Sequence, residues 1–242
     1  LPFAVRSRSL ASLRSLPAGT WVRLIVLGLL FYSLTQGAQY LSLVYLPAVT
    51  TSLLLSFTPI LVALLGIAFL REQPTALQWG GTGLYLIGLA LYFYPLSLPG
   101  GEAVGFLVAG AGVLANALSS VLGRHVNREG GLEPTMVTTI SMGSGAIILL
   151  AAGVAVQGWP HLAPIDWGIV LWLAVVNSAF AFTLWNHTLR TLSAMESSII
   201  NSTMLVQIAV LAWLFLGERL TWQEIFGMAL AGVGALIVQL RR

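Results

Sequence analysis

The chain has 242 residues, of which 57% are hydrophobic and only 8% are Asp, Glu, Lys or Arg, with a mean hydropathy of +0.91. A soluble domain carries about a quarter charged residues, so this composition excludes a water-soluble globular protein and points to several membrane spans. The net charge of +3 comes from arginines in short clusters between apolar runs, which argues against a nucleic-acid partner, and the absence of cysteine excludes disulfides and thiolate metal sites.

Residues 1–21 hold Arg6, Arg8 and Arg14 among serines and leucines and read as a cytoplasmic or interfacial segment. They lack the central apolar run and small-residue cleavage site of a signal peptide. Eight apolar segments follow, at 22–40, 46–70, 76–94, 102–123, 134–156, 167–186, 193–216 and 222–240. Each is long enough for a hydrocarbon core of about 30 Å. Helix is expected throughout, because backbone groups in lipid must be paired within the segment. Pro74 suits the first position of the third segment, and Thr221 with Glu224 three residues on reads as a capping box for the last.

Eight spans place ten of the eleven arginines on one side and only Arg219 on the other. The positive-inside rule then puts both termini in the cytoplasm.

A shift of 146 residues aligns the chain with itself. Phe69-Leu70-Arg71-Glu72 meets Phe215-Leu216-Gly217-Glu218, Thr75 meets Thr221, Ser52 and Ser56 meet Ser198 and Ser202, and Gly81 and Gly88 meet Gly227 and Gly234. The expected fold is therefore an all-α polytopic membrane protein of inverted five-helix repeats, with eight helices of an expected ten. Residues 22–95 would be the last three helices of the first repeat, and 102–240 the complete second repeat. Loss of the first pair is explained most simply if the sequence is a piece of a longer chain. An odd number of helices per repeat inverts the second copy, the arrangement that gives secondary transporters two related conformations.

The stretch Ala209 to Thr221, with Phe215-Leu216-Gly217-Glu218 at its centre, the first-copy run Thr58-Pro59-Ile60-Leu61 and then Phe69-Leu70-Arg71-Glu72, and the segment Asn116 to Arg124 resemble the EamA-type permeases of the drug/metabolite transporter superfamily. Two family positions differ: the usual glycine before Glu is Arg71 in the first copy, and the usual proline of the second copy is Leu205. The resemblance implies ten helices, the bacterial inner membrane, and export or import of small metabolites, often amino acids.

Polar residues within the spans are the candidate site residues. Tyr32, Gln36, Gln39 and Tyr40 share one helical face. Asn177, Phe182 and Trp185 lie in the sixth segment, where the shift relates Phe182 to Gln36 and Trp185 to Gln39; Asn116 and Asn201 add further amides. Polar amides within spans face protein or an aqueous cavity, so these residues are candidates for a substrate cavity. Packing between helices is the alternative. Glu196 is either a first-turn carboxylate or, with His187, an amine-binding or proton-coupling group. Glu72 and Glu218 are expected to be structural, each near the start of a following helix. Pro59, Gly81 and Gly227 are expected to be structural too, the glycines permitting close helix contact or a homodimer.

No metal motif, paired carboxylates or activated nucleophile is present, so neither an enzyme nor a cofactor is expected. The expected function is secondary transport of a small amphipathic metabolite through a membrane whose lipid is the other partner. A non-transporting membrane scaffold is the alternative.

Overall fold

The computed structural model describes residues 16–95, 103–128, 132–159, 162–211, 214–215 and 221–240. These residues form an all-α membrane protein. In chain order the helices are α1 (Ala18–Gly28), a π-helical segment Leu29–Thr35, α2 (Gln36–Tyr45), α3 (Ala48–Leu55), α4 (Thr58–Leu70), α5 (Ala76–Tyr92), α6 (Ala103–Arg128) and α7 (Pro134–Gln157). Then follow α8 (Pro164–Trp172), a π-helical segment Leu173–Phe180, α9 (Ala181–Thr188), α10 (Ala194–Ser202), α11 (Met204–Leu211) and α12 (Trp222–Gln239).

The expectation of eight spans is corrected. Among the described residues six helices are long and apolar enough to cross a membrane: Ala18–Tyr45, Thr50–Leu70, Ala103–Arg128, Pro134–Val156, Pro164–Thr188 and Trp222–Gln239. Helix α5 has 17 residues, or about 26 Å at 1.5 Å per residue, short of a hydrocarbon core of about 30 Å. The apolar segment 193–216 is divided into α10 and α11, of 9 and 8 residues, at Thr203.

Helix starts follow local chemistry. Thr75 and Gln78 form a reciprocal capping box at α5, and Thr221 and Glu224 form the repeat-related box at α12. Pro74 thus precedes the cap instead of occupying the first helical position. At α8, which begins with Pro164, the Asp166 carboxylate accepts the Ala163 amide at 3.0 Å.

The chain forms two compact units, Leu1–Gly37 with Leu122–Leu192, and Ala38–Val121 with Ser193–Arg242. Each draws on both copies of the repeat. In the first unit α1 and α7 touch backbone to backbone. A Cβ added at Gly145 would lie 2.6 Å from the Gly28 carbonyl oxygen, and one at Gly28 would lie 2.2 Å from that of Ser141. Leu24, Leu27, Val126 and Val137 fill the core beside this crossing.

In the second unit α5 packs antiparallel on α12. Gly81 faces the carbonyl of Gly234, and Gly88 that of Gly227, with added-Cβ distances of 2.8 and 2.6 Å. Gly81 and Gly227, like Gly88 and Gly234, are 146 residues apart, so each glycine of one copy meets the other glycine of its sibling. The approach is closer than any Cβ allows. These four glycines are occupied within the chain, whereas Gly80, Gly83 and Gly232 have open space beside them.

Candidate functional site

Helices α3 and α4 are one apolar stretch interrupted at Ser56-Phe57. The cause is Pro59, the second residue of α4, which has no N–H to offer the Leu55 carbonyl. The Thr58 hydroxyl donates to that carbonyl instead, at 2.6 Å, and the chain tightens so that Ser56 N–H bonds Leu53 as well as Ser52. The second copy breaks at the matching place, between α10 and α11, although Leu205 stands where proline would be. There the Thr203 amide is shared by Ile199 and Ile200, and its hydroxyl donates to Ile200 at 2.6 Å. Interrupted spans are where transporters commonly place exposed backbone groups for a ligand.

The start of α10 brings together two acids of the second unit, Glu72 and Glu196. Ser193 and Glu196 form a capping box, with the Ser193 amide 2.8 Å from Glu196 Oε2. Glu196 is 5% exposed, and its other oxygen accepts from Gln78 Nε2 at 3.3 Å. The Glu72 carboxylate accepts from the Ala194 amide at 3.1 and 3.2 Å. Glu72 therefore caps a helix 122 residues away. The positive end of α10 receives two carboxylates, and Gln239 Nε2 donates to the Glu196 carbonyl. Glu218 lies outside the described residues.

In the first unit Phe182 packs edge-on against Phe31 and Tyr32, with centroids 5.4 and 5.0 Å apart. The cluster lies beside the two π-helical segments, Leu29–Thr35 and Leu173–Phe180, and the shift of 146 nearly superposes one on the other. In the first, the Thr35 hydroxyl reaches back five residues to the Leu30 carbonyl at 2.8 Å, and Ser33 donates to the Gly145 carbonyl. Such segments inside α-helices frequently mark functional sites. Asn177 lies within the second, Gln36 directly follows the first, and Phe182 stands two residues after the second.

Of the other predicted residues, Gln36, Gln39, Asn116 and Trp185 are half-buried, and Tyr40, Asn177, His187 and Asn201 are exposed. Phe182 is brought into the aromatic cluster. Among the described residues, the side-chain amides of Gln36, Gln39, Asn116, Asn177 and Asn201 take part in no hydrogen bond.

Asn186, like Asn177 an amide of the sixth apolar segment, is marked by the sequence, but its partners are not. It is buried, accepts from Asn127 Nδ2 at 2.8 Å and donates to Thr138 Oγ1 at 3.0 Å, tying α6, α7 and α9 together. Arg124 donates to the Leu189 carbonyl at the end of α9, and Arg190 to the Leu132 carbonyl. Arg124 thereby meets the unpaired carbonyls and negative dipole end of α9, whereas Arg190 holds the segment that leads into α7. These arginines, legible in sequence only as loop charges, are clamps. Among the described residues no group of three or more His, Asp or Glu is placed to hold a metal ion.

The model of the EamA-like transporter family matches residues 1–94 and 103–240. The chain belongs to the EamA-like transporter family. Its members are transporters rather than enzymes, so the chain is an integral membrane transporter of small molecules. Among curated EamA-like relatives it is 26% identical over 231 residues to an uncharacterised transporter, YyaM, of Bacillus subtilis, covering 89% of this chain and 72% of that one. It is 27% identical over 203 residues to a protein of Streptantibioticus cattleyicolor described as a probable terminal-alkyne amino-acid exporter, covering 82% and 66%. It is 24% identical over 238 residues to the S-adenosylmethionine/S-adenosylhomocysteine transporter of Chlamydia muridarum, covering 92% and 74%. A solved crystal structure superposes with a TM-score of 0.75 at 18% identity, over 93% of this chain and 77% of that one, and so shares the fold.

Proposed function

We propose that this EamA-like protein is a secondary transporter that moves a small amphipathic metabolite of the amino-acid type by alternating access. The supporting observation is the set of amides in the apolar helices, Gln36, Gln39, Asn116, Asn177 and Asn201, that find no partner among the described residues and are not buried. In lipid an unpartnered amide is costly; against a water-filled substrate path it is solvated until a ligand arrives. Aromatic side chains supply the apolar contact surface and the amides fix polar groups. Two of the relatives carry names that involve an amino acid or an amino-acid derivative, which supports the same class of substrate. Glu196 and His187 are the candidates for meeting an amine or coupling a proton. Cytoplasmic termini belong to the same reading, supported under the positive-inside rule by the arginines Arg6 to Arg23 and Arg241-Arg242.

Uptake of a panel of labelled neutral amino acids by proteoliposomes tests the assignment. Gln39→Ala and Trp185→Ala should each raise the half-saturating concentration of the transported amino acid by about tenfold or abolish its uptake, as loss of a substrate contact does. Two well-folded variants with wild-type kinetics would remove these residues from the path.

A further inference from the structure

The phenol of Tyr85 lies beside both helix breaks of the second unit. Its ring is fully buried with Leu53, Leu89, Phe93 and Ala231. Its hydroxyl lies beside those of Ser56 and Ser202, yet makes no hydrogen bond of ordinary geometry. A buried hydroxyl left without a partner is uncommon and costly. Ser56 and Ser202 are repeat-related, and each ends the first half of a broken span, Ser56 after α3 and Ser202 at the end of α10.

The position follows from the α5–α12 crossing. Tyr85 lies four residues after Gly81 and three before Gly88, so it is at the centre of the antiparallel glycine contact. Anything at that centre is placed alike toward the two copies of the repeat. The residue related to Tyr85 by the shift is Ala231, small and 1% exposed, so a single phenol serves both breaks. Ser56 already gives its proton to the Ser52 carbonyl at 2.7 Å and can only accept from Tyr85. A phenol has one O–H, and it can donate to one serine at a time.

We infer that Tyr85 is a positioning residue for transport: its hydroxyl bonds Ser56 in one conformation and Ser202 in the other, so that the two breaks exchange roles together. The inference rests on the alternating-access reading above. It gives the two states a shared element whose equilibrium both breaks bias.

The chain has no cysteine, so Ser52→Cys and Ser198→Cys, each one turn before a break, can serve as single reporters. Labelling of each by a membrane-impermeant maleimide in proteoliposomes reads the opening of its own break. Ser56→Ala and Ser202→Ala should shift the ratio of the two labelling rates in opposite directions. In a Tyr85→Phe background neither serine variant should shift it, because the shared partner is gone. Tyr85→Phe alone should lower the maximal uptake rate of whichever amino acid the wild type moves by about tenfold, leave half-saturation within about twofold, and leave the detergent melting temperature unchanged or raised. Serine effects of the same sign, or effects that persist undiminished in Tyr85→Phe, would overturn the role of Tyr85 while alternation stands. Labelling of only one of the two cysteines, unmoved by any variant, would overturn alternation and this role together.

Discussion

Glu72 and Asn186 show how single polar side chains hold elements that apolar packing alone would leave free to slide. The Glu72 carboxylate meets the Ala194 amide at the first turn of α10. Glu72→Ala should lower detergent thermostability by the equivalent of about 1 kcal/mol, the usual cost of losing a helix N-terminal acceptor. Glu72→Gln, which keeps an acceptor oxygen, should cost less. Asn186→Leu removes the bonds to Asn127 Nδ2 and the Thr138 hydroxyl, which keep carbonyls of their own helices, Gly123 and Pro134. The loss of two buried hydrogen bonds should cost about 2 kcal/mol in the same melting assay. An Asn186→Leu variant as stable as wild type would show that the network is dispensable. The sequence identifies Glu72 as a helix-end acid because Arg71-Glu72-Gln73-Pro74 is a turn between apolar runs. It does not show which helix is capped, because a contact across 122 residues leaves no trace in local spacing. The partners of Asn186 are hidden for the same reason: the sequence shows an amide in an apolar run, but Asn127 and Thr138 lie 59 and 48 residues away.

At the scale of elements, the glycines are legible as packing residues because Gly81 and Gly88 recur at Gly227 and Gly234. The crossing can be tested directly. A Cβ at Gly88 would lie 2.4 Å from the Ala231 backbone nitrogen, whereas nothing lies within 4 Å of one at Gly80. Gly88→Leu should force α5 and α12 apart and give protein that aggregates on size-exclusion chromatography, since overpacking a tight contact costs about 1–3 kcal/mol or more. Gly80→Leu should elute as wild type. The breaks are only half legible. Pro59 marks the first by removing a backbone donor, but the second occurs at Thr203 without proline, and the apolar run 193–216 reads as continuous. The π-helical segments are not legible at all, because Leu29–Thr35 and Leu173–Phe180 differ from α-helix by hydrogen-bond register and not by composition. The eight-span expectation fails for a related reason: hydropathy measures the length of an apolar run, whereas α5 and the α10–α11 pair are limited by where helix begins and ends.

For the whole molecule, the membrane class and the family are carried by features that need no contact map, namely sparse charge and the paired Phe-Leu-x-Glu turns of the repeat. The substrate residues are not, since Gln36, Gln39, Asn177 and Asn201 announce only that amides occur in apolar helices. Their lack of a hydrogen-bond partner among the described residues is a structural fact that composition does not show. A carrier working by alternating access exposes its site to one side at a time, so solute on the far side speeds the return of the empty site. Counterflow reads this without assuming a coupling ion. Proteoliposomes loaded with millimolar unlabelled amino acid and diluted into a trace of the labelled compound should show transient accumulation above equilibrium, for at least one neutral amino acid in the panel. Absence of an overshoot with every amino acid, in protein shown to be folded and inserted, would contradict the account.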